Sequence, residues 1–232
     1  MELLSYGDNG WGDDLLWAAV LTIQLALCAV AVGFSLGIGL AGMKVSRFAP
    51  LRWFAETYTP IIRGVPEFLV LLLVFFGSEA ALNSLFALFG SDTIIEIPKF
   101  LAAVLGLGVI FGAYSCEVFR GAYLAVPNGQ IEAGKAVGLS NFQILWNIRF
   151  PQLLRFAIPG LGNLWMVMIK DTSLAAVIAL DELLRVAKIA GEATRNPLLF
   201  LLVAGALYLI MTSLSDIVRA KAERAAKRGY TS

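Results

Sequence analysis

Long apolar stretches alternate with short polar segments along this chain. Five stretches are long enough to cross a bilayer, because about 30 Å of hydrocarbon requires roughly 20 helical residues. Every backbone polar group in lipid must be paired within its own segment, which favours helices over single strands. The pattern therefore predicts an all-α membrane protein with five transmembrane helices. They lie near residues 15–43, 54–76, 100–119, 156–180 and 198–218.

Composition supports this interpretation. Hydrophobic residues make up 59% of the 232 residues and charged residues only 15%, which is too apolar for a single soluble core. The formal net charge is +1, and a nucleic-acid-binding protein would need a basic face. We therefore expect a membrane-embedded protein with no nucleic-acid partner.

The distribution of Lys and Arg predicts the orientation, because basic residues that flank transmembrane helices stay on the cytoplasmic side. Most of the 18 basic residues fall on that side if the N-terminus is periplasmic and the C-terminus cytoplasmic. The acidic N-terminus agrees with this arrangement. It places a polar segment between the third and fourth apolar stretches, residues 127–151, in the cytoplasm.

Several kinds of active site are missing from the sequence. The chain contains no histidine, so we predict no catalytic residue and no metal site. Residues 37–42 match G-x-G-x-x-G, but they lie inside an apolar run with no strand before it. These glycines, with Gly33, indicate close helix packing, and Met43 stands where a P-loop has lysine. Cys28 and Cys116 are expected to be small packing residues without a disulfide.

Charged residues inside the apolar stretches each cost at least about 2.5 kcal/mol in a bilayer, so each needs a partner or a function. Arg63 and Glu67 are four residues apart and could pair on one side of a helix. Pro60 and Pro66 lie beside them and predict a bent or broken helix that faces a cavity. A structural ion pair and a place on a transport pathway both remain open.

Two more charged clusters follow. Glu117 and Arg120 are spaced to pair on one helix face, and we favour a structural ion pair. Lys170 and Asp171 are adjacent and cannot share a helix face, so at least one points to a cavity, a partner subunit or a helix break. The third cluster comprises Asn163, Lys170, Asp171, Thr172 and Ser173. A pathway role and structural hydrogen bonding both remain open for these residues.

The polar segment 127–151 predicts a folded two-helix loop. A turn leads into a helix that carries Glu132 in its first turn. Gly138 ends this helix in a left-handed conformation, Ser140 caps a second amphipathic helix, and Pro151 ends that helix. A simple connection needs no such fold, so we expect a surface for a soluble partner. The alternative is an interfacial helix that lies on lipid.

This segment resembles the EAA loop of ABC importer inner-membrane permeases, whose pattern is E-A-A-x-x-x-G, nine variable residues, and I-x-x-P or a close relative. Gly134 replaces the second alanine and Phe150 a common leucine. The positions that fit are Glu132, Ala133, Gly138, Ile148 and Pro151. Other segments resemble the polar amino acid permeases, above all the Q-type subunits of arginine and histidine/lysine-arginine-ornithine systems. These segments are 62–66, 119–130, 150–152, 161–163 and 170–174.

The resemblance implies a type I ABC importer permease fold in the bacterial inner membrane. Residues 1–232 would form one transmembrane permease domain, and residues 127–151 its cytoplasmic coupling loop. The partners would be two ATPase subunits, a periplasmic substrate-binding protein and a second permease subunit, either a homologous M-type chain or a copy of this one. ATP and Mg would bind to the ATPase, and this chain would bind no cofactor. The ATPase-docking residues would be Glu132, Ala133, Gly138, Leu139 and Ser140.

The resemblance also implies the mechanism and the substrate. The permease would move a polar amino acid by alternating access and would catalyse no reaction itself. An acid is expected directly after R-G-x-P in this group, and Glu67 holds that position. A carboxylate there suits a cationic side chain, as in arginine, histidine, lysine, ornithine or a derived opine. The alternatives are an importer for glutamine or glutamate and an ion channel, which would not need a folded loop.

Overall fold

The computed structural model describes residues 2–7, 10–90 and 94–227, and this part of the chain is largely helical. Short 3₁₀ helices lie at Glu2–Leu4 and Thr172–Ile178. The α-helices are α1 (Gly12–Lys44), α2 (Ala49–Gly64), α3 (Glu67–Leu88), α4 (Lys99–Ala125), α5 (Asn128–Ala136), α6 (Asn141–Ile144), α7 (Phe150–Asp171), α8 (Leu183–Thr194) and α9 (Pro197–Lys227).

Within the described ranges, five helical stretches are long and apolar enough to cross a membrane. The predicted number of spans is therefore confirmed. The candidate spans are built on α1, α3, α4, α7 and α9. The stretches are Gly12–Lys44, Glu67–Leu88, Lys99–Ala125, Asn141–Ile178 and Pro197–Ala226.

The second span begins later than the apolar pattern predicted. The predicted helix over 54–76 is wrong because the chain is extended at Val65, with φ −98° and ψ 142°. Proline disfavours helical backbone at the residue before it, so Pro66 separates α2 from α3. The expected break is thus present, and α2 packs beside α1 and α4 as a separate helix.

Pro151 does not end a helix, so the helix end that the sequence predicted at this residue is wrong. Leu145–Arg149 form a π turn between α6 and α7, and the helical path runs from Asn141 to Asp171. A proline inside a helix lacks an N–H and clashes with the carbonyl four residues earlier. The wide π turn lies directly before Pro151, which occupies the first turn of α7, where proline is tolerated.

The most extensive helix pair is α1 with α4, and it depends on glycines in both helices. A methyl group at Gly33 or Gly37 of α1, or at Gly108 or Gly112 of α4, would lie at or under 3.0 Å from atoms of the other helix. The Ser115 hydroxyl donates a hydrogen bond to the Gly33 carbonyl at 3.1 Å. Small residues four apart let helix backbones approach closely in lipid. The predicted packing role is thus confirmed for the two α1 glycines.

Some small residues that the sequence predicted to pack between helices do not do so. Gly39 and Gly42 have no atom within 4 Å of the position that a Cβ would occupy, so they do not pack within the described chain. Cys116 is fully buried and is a packing residue, as predicted, whereas Cys28 is exposed. Both thiols are free.

A buried carboxylate holds the N-terminus of α8. Glu182 is fully buried, and its two oxygens accept hydrogen bonds from backbone N–H groups in the first turn of α8, at 2.8 and 2.9 Å. The Tyr208 hydroxyl of α9 donates to the same carboxylate at 2.9 Å. The Leu183 N–H donates to Thr22 Oγ1 of α1 at 3.2 Å. Burial raises the pKa of the Glu182 carboxyl, and its hydrogen bonds oppose that rise.

We predict that Gly37→Val destabilises the folded chain and that Gly39→Val does not. A side chain at position 37 would overlap Ser115 of α4, and overpacking of this kind costs about 1–3 kcal/mol. The apparent melting temperature of the detergent-purified protein should therefore fall for the first variant only. Both variants change helix propensity equally, so equal melting temperatures would contradict the role of the close glycine contact.

Candidate functional site

The polar loop, residues 127–151, folds as two helical elements joined by a glycine turn. The first element, α5, begins at Asn128, so Glu132 lies in its second turn and not in the predicted first turn. Gly138 has φ +82°, which is the left-handed helix end that the sequence predicted. The turn between the two helical elements is therefore formed by the backbone conformation of Gly138.

Reciprocal hydrogen bonds start the second element of the polar loop. Ser140 is the N-cap of α6: its hydroxyl accepts from the Gln143 N–H at 3.3 Å, and the Ser140 N–H donates to Gln143 Oε1 at 2.9 Å. This is a capping box, and it confirms the predicted cap. Gln152 of α7 donates to Gln130 Oε1 of α5 and to the Ile148 carbonyl, which joins the loop to the spanning helix.

Close packing explains why glycine replaces alanine at position 134. Gly134 is buried against the second element, and a Cβ there would lie 2.9 Å from Ile148 and 3.2 Å from Ile144. The two isoleucines thus occupy the space of the missing methyl group. The departure from the E-A-A pattern is therefore matched by contacts inside the loop.

The predicted docking residues lie on the surface of the polar loop. Glu132 is exposed and makes no hydrogen bond or ion pair in the described part of the chain. Apolar side chains are also exposed nearby, with 77% exposure at Val137 and 69% at Phe142. Trp146 lies between Phe142 and Phe150, with ring centroids 6.1 and 4.9 Å away. Among the docking candidates, Ala133, Gly138 and Ser140 are exposed and Leu139 is half-buried.

A cluster of charged side chains surrounds Tyr114 of α4. The Arg63 guanidinium lies over the Tyr114 ring, 5.2 Å from its centroid. Glu67, the first residue of α3, and Asp171, the last of α7, interact electrostatically with Tyr114 and with each other. The expected Arg63–Glu67 ion pair is not formed, because the break at Val65 places the two residues on different helices. The fold instead brings together two acids predicted for the pathway.

This cluster lies near the middle of a spanning helix. Tyr114 is 15 residues from Lys99 and 11 from Ala125, the ends of α4, which is about 22 Å and about 16 Å along the axis. Glu67 at the N-terminus of α3 is favoured by the helix dipole. The two acids therefore lie beside the middle of α4, among the spanning helices, where a charge needs a partner or a function.

The α-helical part of the fourth span ends beside the same cluster. α7 stops at Asp171 and continues as a 3₁₀ helix, so the helix break predicted for the adjacent Lys170 and Asp171 is present. Lys170 and Asn163 are both exposed. They are seven residues apart, which places them on one face of α7.

Ser173 and Thr172 follow this break and differ in exposure. Ser173 is half-buried and its hydroxyl donates to the Lys170 carbonyl at 2.7 Å. Thr172 is fully buried and its hydroxyl donates to the Ile169 carbonyl at 2.6 Å. Thr172 is therefore closed to solvent in this conformation, and its expected place on the pathway stays a prediction.

Glu117 belongs to a network that joins three helices. Arg120 lies 3.0 Å from its carboxylate, and Lys44 of α1 forms a second ion pair with the same group. Lys44 also contacts the Thr59 hydroxyl of α2. The predicted structural ion pair of Glu117 with Arg120 is therefore present, and Lys44 is a second cation that the sequence did not predict.

Three residues that take part in the polar contacts described above were not predicted from the sequence. Tyr114 could have been noticed as a polar group inside an apolar run, and Glu182 as an acid directly before a helix start. Lys44 gave no such signal, because its partner Glu117 lies 73 residues away and only the packing of α1 against α4 brings them together.

The spanning helices, the folded polar loop and the charged cluster around Tyr114 are those of a multi-pass membrane component of a transport system. Residues 33–228 match the family model described as the binding-protein-dependent transport system inner membrane component. The chain belongs to this family. It is therefore an inner-membrane transport subunit and not an enzyme.

Similar proteins agree with this family along nearly the whole chain. The nopaline transport system permease protein NocQ of Agrobacterium fabrum is 43% identical over 233 residues, which covers 100% of this chain and 99% of that protein. The histidine/lysine/arginine/ornithine transport system permease protein HisQ of Salmonella typhimurium is 39% identical, with coverage of 93% and 94%. A crystal structure of an amino acid ABC transporter with histidines matches with a TM-score of 0.80 and 29% identity, over 93% of this chain and 95% of that one. The resemblance drawn from the motifs is confirmed.

We predict that Gly134→Leu loosens the polar loop, whereas Gly129→Leu does not. A larger side chain at position 134 would push α5 away from Ile148, while position 129 has no atom within 4 Å. Hydrogen–deuterium exchange of residues 127–151 should become faster in the first variant alone. Unchanged exchange in both variants would show that the glycine contact does not hold the loop.

Proposed function

We propose that the chain is the transmembrane permease subunit of an ATP-driven importer for a basic amino acid or an opine derived from one. The observation that carries this proposal is that Glu67 and Asp171 both lie beside Tyr114 of α4, at the start of α3 and the end of α7. Carboxyl groups among spanning helices are suited to a cationic side chain. The relatives named for nopaline and for histidine, lysine, arginine and ornithine support this substrate class.

The exposed polar groups around these acids complete the proposed pathway. Lys170 is exposed beside Asp171 and provides a positive charge for the α-carboxylate of an amino acid. Asn163 shares its helix face, and Ser173 is half-buried in the following turn. Alternating access would open this group of side chains to each side of the membrane in turn, and the spanning helices of residues 1–232 would form one permease domain.

The orientation proposed for the chain places the N-terminus in the periplasm and the C-terminus in the cytoplasm. The excess of Lys and Arg on one side supports it. The polar loop then faces the cytoplasm, where Glu132, Ala133, Gly138, Leu139 and Ser140 would contact an ATPase. The docking role is supported by the exposure of Glu132 and by its lack of a hydrogen bond or ion pair among the described residues.

The assembly proposed for the importer contains four kinds of component. Two ATPase subunits would bind ATP and Mg, so this chain would hold no cofactor. A periplasmic binding protein would deliver the substrate, as the family description indicates. A second permease subunit, either a homologous M-type chain or a copy of this one, would complete the pathway.

We predict that Glu67→Gln and Asp171→Asn each reduce uptake of a basic amino acid at least about tenfold, since a hydrogen bond to a charged group contributes about 1.5–3 kcal/mol. The measurement is uptake of radiolabelled arginine into proteoliposomes that contain the complete importer. The control is Glu56→Gln, because Glu56 is an exposed acid of α2 that lies 3.9 Å from Arg52.

The same assay separates the alternatives. An unchanged preference for cationic over neutral substrates in both variants would refute a basic substrate bound by these acids. Uptake of glutamine or glutamate by the unaltered importer, with no uptake of arginine, would favour the alternative that the protein imports glutamine or glutamate.

We predict that Glu132→Ala reduces co-purification of the ATPase without loss of the permease from the membrane. The exposed carboxylate has no hydrogen bond or ion pair within the part of the chain that the structure describes, so its loss should not alter the fold. Glu192→Ala is the matched control, since Glu192 is an exposed acid of α8 and lies outside the polar loop. Full ATPase recovery with the first variant would disprove the docking role of Glu132.

A further inference from the structure

A groove lies along α7, between α1, α4 and α9, and it consists of two adjoining cavities. The first has a volume of about 460 Å³ and lies between α1, α4 and α7. The second has a volume of about 570 Å³ and lies between α1, α7 and α9. Phe34 of α1 and Leu161 of α7 line both cavities. Each cavity has the size of a small-molecule site, and together they extend along the spanning helices.

The groove is separate from the proposed substrate pathway. Its floor is formed by Leu161 and neighbouring apolar residues of α7. At 3.6 residues per turn, Asn163 and Lys170 lie about 160° and about 180° around the helix from Leu161. The groove also lies on the α1 side of α4, whereas Glu67 begins α3, which packs on α4 separately. A ligand in the groove would therefore not compete with the substrate.

Apolar walls and a cationic rim characterise the first cavity. Of the residues that line it, Arg120 alone is charged, and Tyr123 lies at the same wall. The Arg149 guanidinium covers the Tyr123 ring at 4.3 Å and donates to its hydroxyl. The Arg149 Nε is buried and has no hydrogen-bond acceptor in the described part of the chain. The Arg149 guanidinium therefore lies behind Tyr123 at this wall, and no carboxylate neutralises its charge there.

The charges at this rim do not cancel. Lys44 and Arg120 share the single carboxylate of Glu117, and Arg149 is stacked on a tyrosine instead of a carboxylate. Three positive groups against one negative group leave a local charge of plus two. The second cavity differs, since its Arg219 is already paired with Asp216 and Glu223. An anion is therefore favoured at the first cavity only.

We propose that this groove binds a phospholipid with an anionic headgroup, whose acyl chains occupy the two cavities and whose phosphate lies beside Arg120 and Arg149. Acyl chains can occupy apolar walls at no cost in desolvation, and basic pockets between transmembrane helices attract anionic headgroups. Charge complementarity thus selects an acidic phospholipid over a zwitterionic one. The site is a lipid site on the outer surface of the helices, apart from the pathway.

The test is native mass spectrometry of the purified transporter complex that contains the full chain, freed of lipid and titrated with phosphatidylglycerol or phosphatidylcholine. We expect tighter binding of phosphatidylglycerol. Arg149→Gln should weaken that binding about fivefold, the factor that one basic residue contributes at an anionic surface. Arg149→Lys keeps the charge and should retain most of the preference.

Two further variants test the walls and the selectivity. Leu161→Trp fills the wall shared by the cavities and should weaken binding of both lipids. Arg219→Gln removes a paired arginine from the second cavity and should leave the lipid preference unchanged. Equal binding of the two lipids by the unaltered complex, or no effect of Arg149→Gln, would overturn the proposal. A complex that takes up no lipid and whose permease subunits separate on Leu161→Trp would assign the groove to a subunit interface instead.

Discussion

Helices in a bilayer gain little from the hydrophobic effect when they associate, because lipid tails are as apolar as the side chains they replace. Backbones must then approach closely enough for dispersion forces and weak polar contacts to hold them. In this protein that requirement is met where Gly33 and Gly37 of α1 pack directly against α4, and Gly108 and Gly112 of α4 pack directly against α1. Because α4 also packs against α2, α3 and α7, its contact with α1 fixes the frame on which the other spans are arranged.

Polar chemistry in the protein is concentrated where helices end inside this frame. The extended residue before Pro66 lets Glu67 begin a helix, and the change to a 3₁₀ helix after Asp171 ends another. Both breaks deliver a carboxylate to Tyr114 of α4. A continuous helix could present such groups only around its side, whereas an interrupted helix also presents its own terminal dipole. The two breaks therefore account for the charged cluster around Tyr114.

Local signals in the sequence predicted local structure well. Gly138, the Ser140 cap and the break before Pro66 depend on neighbouring residues alone, and the structure has all three. The helix end expected at Pro151 was wrong, because a π turn is a compromise that propensity does not reveal. Pairings between distant segments, such as Lys44 with Glu117, were beyond prediction because packing of whole helices decides them. The residue pattern of the polar loop indicated only some soluble partner, and the resemblance to the family motifs was needed to predict which kind of protein it is.

The π turn at Leu145–Arg149 has a mechanical consequence. It keeps the path from Asn141 to Asp171 helical for 31 residues, or about 45 Å. Pro159 lies inside α7 on this path, and a proline inside a helix lacks one backbone hydrogen bond and bends the helix. The π turn therefore makes the connection between the polar loop and Asp171 continuous, and Pro159 is the residue within it at which a bend is expected.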